Sequence, residues 1–382
     1  MHRNLPLVSV VIPSYNEAAS LARNLDEIFG YLTSLSDRYR FEVLIVNDGS
    51  RDNTAEVAEA AAQRFANLRV VHHPSNFGIG QALRSGFALS RGDYIVTMDA
   101  DLSYAPKTIG EMLSAIVTQR AKLVLASAYM PGGRVTAVPR DRHLYSRVGN
   151  WLMARMDGGR FSTYTCMVRA YDGPFIRSME PRALGMGIMP EIIYKTLILG
   201  GRIVEIPAHL DWTLQAQDAS AAKAAGTAPG RRSSMRVIGH MVSTSVSTFL
   251  FRPFMLMLVP GVVLLLFATY VDFWLVYDLV AALTRAGSLA EAATLVYRER
   301  PATLLIGPMA TLLAIQLISL GAISIQSKRY YEESYFQTVR LRRQLERIEA
   351  AVQGQPSPVA PVPSLGPQPA PAPKPAPAPE PP

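Results

Sequence analysis

The chain is short of several things, and each shortage narrows the reading. Among 382 residues there is one cysteine, Cys166. An internal disulfide is therefore excluded, and a reducing compartment suits the domain that carries it. There is no zinc-finger spacing and no aromatic RNA-binding motif, so the formal charge of +8 does not point to nucleic acid. The first residues, MHRNLP, are short and polar, and the apolar run behind them, LVSVVI, is too brief for the core of a signal peptide. No signal peptide is expected. The segment NFGIGQALRSGF holds Gly78 and Gly80 ahead of a helix but no third glycine, and no acidic ribose partner follows at the needed distance. A dinucleotide fingerprint is thus poorly supported.

What is present is an alternation. Residues 7–13, 41–47, 68–72, 94–98 and 122–127 are short apolar runs and read as strands. Helical stretches are expected between them, at about 18–35, 53–65, 79–89 and 106–119. Short apolar strands alternating with helices imply an α/β fold, Rossmann-like, with a mostly parallel sheet covered on both faces. Ligands of such sheets bind beyond the C-terminal ends of the strands. Asp48 and Asp99 fall there. In TMDADLS, Asp99 and Asp101 stand two apart, and strand alternation would aim both carboxylates one way. Two anions so close repel unless a cation lies between them, and hard oxygen ligands suit Mg2+ or Mn2+. The bland alternative is a solvated turn that happens to hold two aspartates. His72 and His73 adjoin on a strand and face opposite ways, so both read as structural.

After residue 212 the pattern stops. Residues 213–252 comprise a small, polar, mobile loop and an amphipathic stretch with Val237, Ile238, Met241, Val242 and Val246 on one face, suited to a bilayer interface. Residues 253–271 and 302–326 lack charge, and each can cross a hydrocarbon core, which needs ~20 residues. The alternative is a buried core hairpin. Within a membrane hairpin spanning 253–326, Arg236, Arg252, Lys328 and Arg329 place both flanks in the cytoplasm. The expected site is the inner membrane, as a multi-pass protein. Residues 327–353 read as a separate helix in which Leu341, Leu345, Ile348 and Val352 suit a short coiled coil, hence a possible homo-oligomer, or a helix lying on its own protein or lipid. Residues 354–382 are Pro/Ala-rich and are expected to be disordered.

Four pieces in order, VVIPSYNEAASL, VLIVNDGSRDNT, NFGIGQALRSGF and MDADLS, resemble the family 2 inverting glycosyltransferases of GT-A fold. The resemblance covers residues 7–210. It implies a donor site for a UDP- or GDP-sugar built from Pro13, Tyr15, Glu17 and Asp48, with the Gly78-Gly80 turn beside it. It implies that Asp99 and Asp101 hold a divalent cation on the donor diphosphate. Such a cation stabilises the charge that builds on the leaving group. No QxxRW-type motif follows, which argues against the processive synthases.

The segment PGGRVTAVPRDRHLYSRVGNWL resembles the acceptor side of dolichol-phosphate mannose synthases and their bacterial polyprenyl-phosphate relatives. That resemblance singles out Arg142, Ser146 and Asn150, which share one face of a helix, and downstream Arg169 and Glu191. The catalytic set it implies is Asp99, Asp101, Arg142, Ser146, Arg169 and Glu191. The loop GRRSSM, residues 230–235, resembles the relatives' loop before the membrane helices. Three positions depart from the relatives: Ala128 stands where they usually carry a phosphate-contacting Arg, Thr163 where they usually carry Asp, and near Ser234 they usually carry Lys. The expected activity is transfer of one sugar, with inversion, to polyprenyl phosphate. Transfer to a lipid hydroxyl, giving a glycolipid, and a non-catalytic nucleotide-sugar binder or scaffold are the alternatives.

Overall fold

The computed structural model describes residues 5–215 and 255–352. The amphipathic stretch before the hairpin, the GRRSSM loop and the Pro/Ala-rich tail lie outside them.

Seven strands form one sheet: β1 (Leu7–Ser14), β2 (Arg40–Asn47), β3 (Leu68–His72), β4 (Tyr94–Thr97), β5 (Leu123–Ser127), β7 (Arg169–Asp172) and β8 (Ile203–Pro207). Their order is β3-β2-β1-β4-β7-β5-β8, and β7 alone runs antiparallel to its neighbours. Strands buried on both faces have no polar face to show, which is why LVSVVI and VLIVN are continuous apolar runs rather than alternating ones. The helices α1 (Ala18–Thr33), α2 (Thr54–Arg64) and α4 (Lys107–Thr118) cover one face of the sheet. The other face carries α3 (Ile79–Leu89), α6 (Gly173–Met179) and α7 (Ile188–Ile198). In α1 the buried residues Leu21, Leu25, Ile28 and Leu32 recur at helical spacing and pack on Val8, Val10 and Ile12.

Register decides where the loops gather. Ser14 pairs with Asn47, and Val11 with Thr97. Strands β1 and β2 therefore end at the same level and β4 three residues short of it, and the loops after all three open at one edge. A small second sheet joins β6 (Arg134–Thr136) to β9 (His209–Asp211) in parallel. The amide of Asp211 donates to the carbonyl of Ser103, and the Trp212 amide to that of Thr136. The chain thus folds back over the turn that carries the two aspartates. Between these strands lies α5 (Arg140–Asp157), closed by Gly158 in the left-handed region.

Beyond residue 254 the chain forms α8 (Met255–Leu283), α9 (Leu289–Glu299) and α10 (Pro301–Val352). Leu258 meets Gly321, Gly261 meets Ile318, and Asp272 meets Gly307, so α8 and α10 pack as an antiparallel pair with glycines at the close approaches. Two helices, Met257–Leu283 and Pro301–Arg342, are long and apolar enough to cross a membrane. Only 11% and 22% of their most apolar windows are buried within the protein. A buried core hairpin would show the opposite, so the outward apolar side chains need lipid.

One expected boundary is absent. A helix separate from the second span was expected at 327–353, but α10 runs unbroken for 52 residues, about 78 Å at 1.5 Å per residue. Nothing at Ser327-Lys328 stops a helix, because neither glycine nor proline occurs there. The second half of α10 lies on its own protein. Val339 is buried against α6 and α7, flanked by Tyr335 and Phe336. The Tyr335 hydroxyl donates to the Met179 carbonyl at 2.5 Å, and Tyr194 donates to Glu332 at 2.8 Å. Leu341, Leu345 and Ile348 stay exposed.

Candidate active site

The aspartate pair lies in a turn. Strand β4 ends at Thr97, so strand alternation does not aim the two carboxylates. The turn does: the Ser103 amide donates to Asp101 at 2.9 Å, and the Ser103 hydroxyl to Asp99 at 3.4 Å. Leu102 takes a left-handed φ of 54° to close it. Gln215 donates to the carbonyl of Asp101 at 2.8 Å. Burial and the neighbouring Asp101 charge push the Asp99 carboxyl up to about 7, with Glu17 adding to the effect. A buried carboxyl that resists ionisation beside a second carboxylate is a fitting donor pair for a divalent cation. Among the described residues no three His, Cys, Asp or Glu side chains converge, so diphosphate oxygens and water would complete the coordination, as Mg2+ usually requires.

The loops after β1 and β2 are tied together. The amides of Asn16, Glu17 and Ala18 donate to Ser50, Thr54 and Asp52, and the Arg51 amide returns to Asn16. This holds Pro13, Tyr15 and Glu17, all half-buried, at the rim of the sheet edge. Nearby, the Ser14 hydroxyl is buried without a hydrogen-bond partner in the protein.

Asp48, expected at the donor site, is bonded within the protein. Its carboxylate accepts from the amides of Phe77 and Gly78 at 3.0 and 2.8 Å and is bonded to His73 Nδ1 at 2.8 Å. It is nearly buried and organises the loop in front of α3. His73 is bonded in turn to Ser85, and His72 to Asn47 and Glu59, so both histidines are structural.

Gly78 and Gly80 do not present amides to a phosphate. The amides of Gly80 and Gln81 donate to the Leu184 carbonyl, which caps α3 from within the protein. A Cβ on Gly80 would lie 2.2 Å from the Ala183 carbonyl oxygen. We expect Gly80→Ala to push the 182–184 segment away and to lower stability by about 1–3 kcal/mol, the usual cost of overpacking. A thermal melt of the purified protein checks this.

Glu191 and Arg169 are likewise bonded within the protein. Glu191 accepts from the amides of Arg182 and Ala183 at 2.8 Å each and pairs with buried Lys195 at 2.8 Å. It thereby fixes the segment whose Leu184 caps α3. Arg169 is fully buried and donates to three carbonyls, those of Cys166, Met189 and Tyr164, at 2.7, 2.8 and 2.8 Å. Its fork matches three oxygens from three directions and ties β7 to α7.

Of the acceptor-side residues, Asn150 lines a cavity of about 360 Å³ together with Ala128, Tyr129, His143, Arg147 and Ser162, among others. Ser146 accepts from the Tyr129 hydroxyl at 2.9 Å. Asn150 is buried and accepts from the Tyr164 amide at 2.7 Å, which makes it a clamp. Arg142 lies on α5, and its side chain is outside the described residues. The cavity brings in Arg147 and His143, which the expected set lacked. Their signal was legible: both share the α5 face with Trp151 and Ala154. Beside Thr163 a carboxylate arrives from another element. Glu205 of β8 accepts from the Ser162 and Thr163 amides at 2.9 and 3.1 Å, and burial raises its pKa. An acid inside the apolar strand IVEIP was the visible hint.

Between β4 and β5 lies only β7. With strands about 4.8 Å apart, the aspartate turn and the α5 cavity open about 10 Å from each other on one sheet edge.

The family described as "Glycosyl transferase family 2" matches residues 9–177. The chain is 33% identical over 206 residues to undecaprenyl-phosphate mannosyltransferase of Micrococcus luteus, covering 52% of this chain and 82% of that protein. It is 37% identical over 179 residues to undecaprenyl-phosphate 4-deoxy-4-formamido-L-arabinose transferase of Pseudomonas aeruginosa, covering 46% of this chain and 50% of that one. Among solved structures, glucosyl-3-phosphoglycerate synthase of Mycobacterium tuberculosis in complex with phosphoglyceric acid aligns over 64% of this chain and 79% of its own, with 21% identity and a TM-score of 0.47. With its sheet order, its aspartate turn at the end of β4 and these relatives, the chain belongs to glycosyl transferase family 2 and carries a mostly parallel, GT-A-like α/β domain followed by two long apolar helices.

Proposed function

We propose that the protein transfers a single sugar, with inversion, from a nucleoside-diphosphate sugar to polyprenyl phosphate at the cytoplasmic face of a membrane. One juxtaposition carries the reading: a pair of crowded carboxylates and a cavity holding Arg147 and His143 share one sheet edge, on a chain with a membrane hairpin. The two relatives bear names that specify a polyprenyl phosphate as acceptor, which supports the same acceptor class here.

Asp99 and Asp101 would hold Mg2+ or Mn2+, which when bound neutralises charge on the leaving diphosphate. Pro13, Tyr15 and Glu17 line the rim where the nucleoside would lie, and Asp48 keeps the Phe77-Gly78 loop in place. Arg147 and His143 would hold the acceptor phosphate and turn one of its oxygens toward the anomeric carbon. That oxygen forms the new C–O bond from the face opposite the leaving group, while the bond to the diphosphate breaks. A phosphate monoester has its second pKa near ~6. At neutral pH it is already anionic, so it needs orientation and charge screening and no general base. On α5, Leu144, Val148 and Trp151 are 59%, 48% and 61% exposed. This outward apolar ridge beside the cavity suits an acceptor with a prenyl chain.

The test is a transfer assay in detergent with labelled UDP-glucose, UDP-galactose and GDP-mannose, with and without polyprenyl phosphate. The expected product partitions into organic solvent, requires the lipid phosphate and a divalent cation, and is released by mild acid. Arg147→Gln is expected to raise the acceptor KM about tenfold, the worth of one charge-assisted hydrogen bond, and to leave the donor KM unchanged. Donor hydrolysis with no label in the lipid would overturn the acceptor assignment.

A further inference from the structure

On the opposite side of the Asp48 loop lies a second, larger cavity, of about 800 Å³, between α3, α6, the segment after α6 and the far end of α10. Arg84, Arg177, Arg182 and Arg342 line it, with Glu180 the sole carboxylate among the described residues. Glu180 is ion-paired with Arg342. Arg177 is half-buried and donates to the Gly92 carbonyl at 3.1 Å, with Asp172, Asp93 and Glu42 in its surroundings. Arg84 donates to Gln81 at 2.8 Å. Among the described residues, neither Arg84 nor Arg182 has a carboxylate within ion-pair distance. Two unpaired guanidiniums and a third, half-buried one thus face one cavity, whose floor is formed by Phe87 and Ile176. Like charges gathered around a concavity favour an anion within it. The planar fork of arginine matches phosphate oxygens, and the volume is that of a small-molecule site.

We propose that this cavity binds a soluble phosphate-bearing anion at a site separate from the donor site. The alternative source of phosphate is a lipid head group, and the length of α10 opposes it. Arg342 lies on the same unbroken helix as Gln326, the last residue of its uncharged stretch. At 1.5 Å per residue this places Arg342 about 24 Å along the helix from the end of that stretch. The head-group layer is only about 5–8 Å deep. The site is also not the donor's. It contacts the Asp48 loop from behind, through Ser85, whose hydroxyl is bonded to His73. The proposal therefore stands whether or not the acceptor is a polyprenyl phosphate.

Titration calorimetry of the full chain in phosphatidylcholine nanodiscs, with inorganic pyrophosphate as the probe and EDTA present, tests it. One saturable site is expected. Arg84→Gln and Arg182→Gln should each weaken it about tenfold or more, and Asp99→Asn should leave it unchanged. Should either glutamine variant fail to fold by its thermal melt, Arg84→Lys and Arg182→Lys keep the charge, lose the fork and are expected to weaken binding severalfold. No saturable heat, or binding that none of these arginine variants alters, would overturn the site. Repeating the titration in nanodiscs containing phosphatidylglycerol separates the sources. An unchanged Kd supports a soluble anion, and competition by the anionic lipid would assign the cavity to head groups and overturn that choice.

Discussion

Asp99→Asn is expected to reduce transfer about a thousandfold while the protein stays folded. The two carboxylates face each other across a turn closed by Ser103, and burial plus mutual repulsion already hold Asp99 up to about 7. Removing one charge removes half of the anionic clamp available to a cation. Electrostatic stabilisation of a leaving group of this kind is worth several kcal/mol, which is two to three orders of magnitude in rate. The same substitution relieves a like-charge contact, so the melting temperature should be no lower than that of the parent chain. The discriminating pair of measurements is transfer of label to the organic phase at saturating Mn2+ and a thermal melt without metal. Loss of both rate and stability would mean that the turn is a structural element. An unchanged rate would remove the metal site from the proposed chemistry.

The second large effect falls on stability. Arg169→Ala deletes a fully buried guanidinium that donates to three carbonyls on two segments. The carbonyls of Cys166, Met189 and Tyr164 lose their donor where water cannot replace it, and a void opens where β7 meets α7. Breaking a buried charged network costs about 3–5 kcal/mol, and each unsatisfied carbonyl adds to this. For a domain of this size such a loss lowers Tm by about 10 °C or more. Arg169→Met, which keeps volume but no donor, should lose nearly as much, and Arg169→Lys should fall between. Melts of the three variants beside their activities locate the role of the arginine. An alanine variant that melts like the parent yet transfers nothing would return Arg169 to the catalytic set.

The route from the membrane helix to the donor loop is continuous in contacts. Tyr335 on α10 holds Met179 and stacks under Lys195, which pairs with Glu191. Glu191 fixes the segment whose Leu184 caps α3, and Asp48 holds the turn that precedes α3. Each link is a hydrogen bond, an ion pair or, between Lys195 and Tyr335, a cation–π contact. Three of the side chains the resemblance singled out thus act on the scaffold around the cleft: Asp48, Glu191 and Arg169.

Residue pattern alone determined the architecture. Runs such as LVSVVI and VLIVN admit only strands covered on both faces, helical spacing of Leu21, Leu25, Ile28 and Leu32 demanded an amphipathic helix, and the long uncharged segments demanded lipid. Asp99 and Asp101 stood out as a candidate metal pair because two acids directly follow an apolar strand. What carboxylates and guanidiniums do was not legible, because a charged side chain in a motif reads alike whether it meets a ligand or a backbone amide. Only the fold brings the Phe77 and Gly78 amides to Asp48, three carbonyls to Arg169, and Glu205 of β8 to the Thr163 amide. Nor could local pattern foretell that α10 would continue past the bilayer to lie on α6 and α7. Its course was decided by burial of Val339 and Tyr335 against side chains more than a hundred residues away. Local chemistry sets which elements form; long-range packing sets what each polar group is left to do.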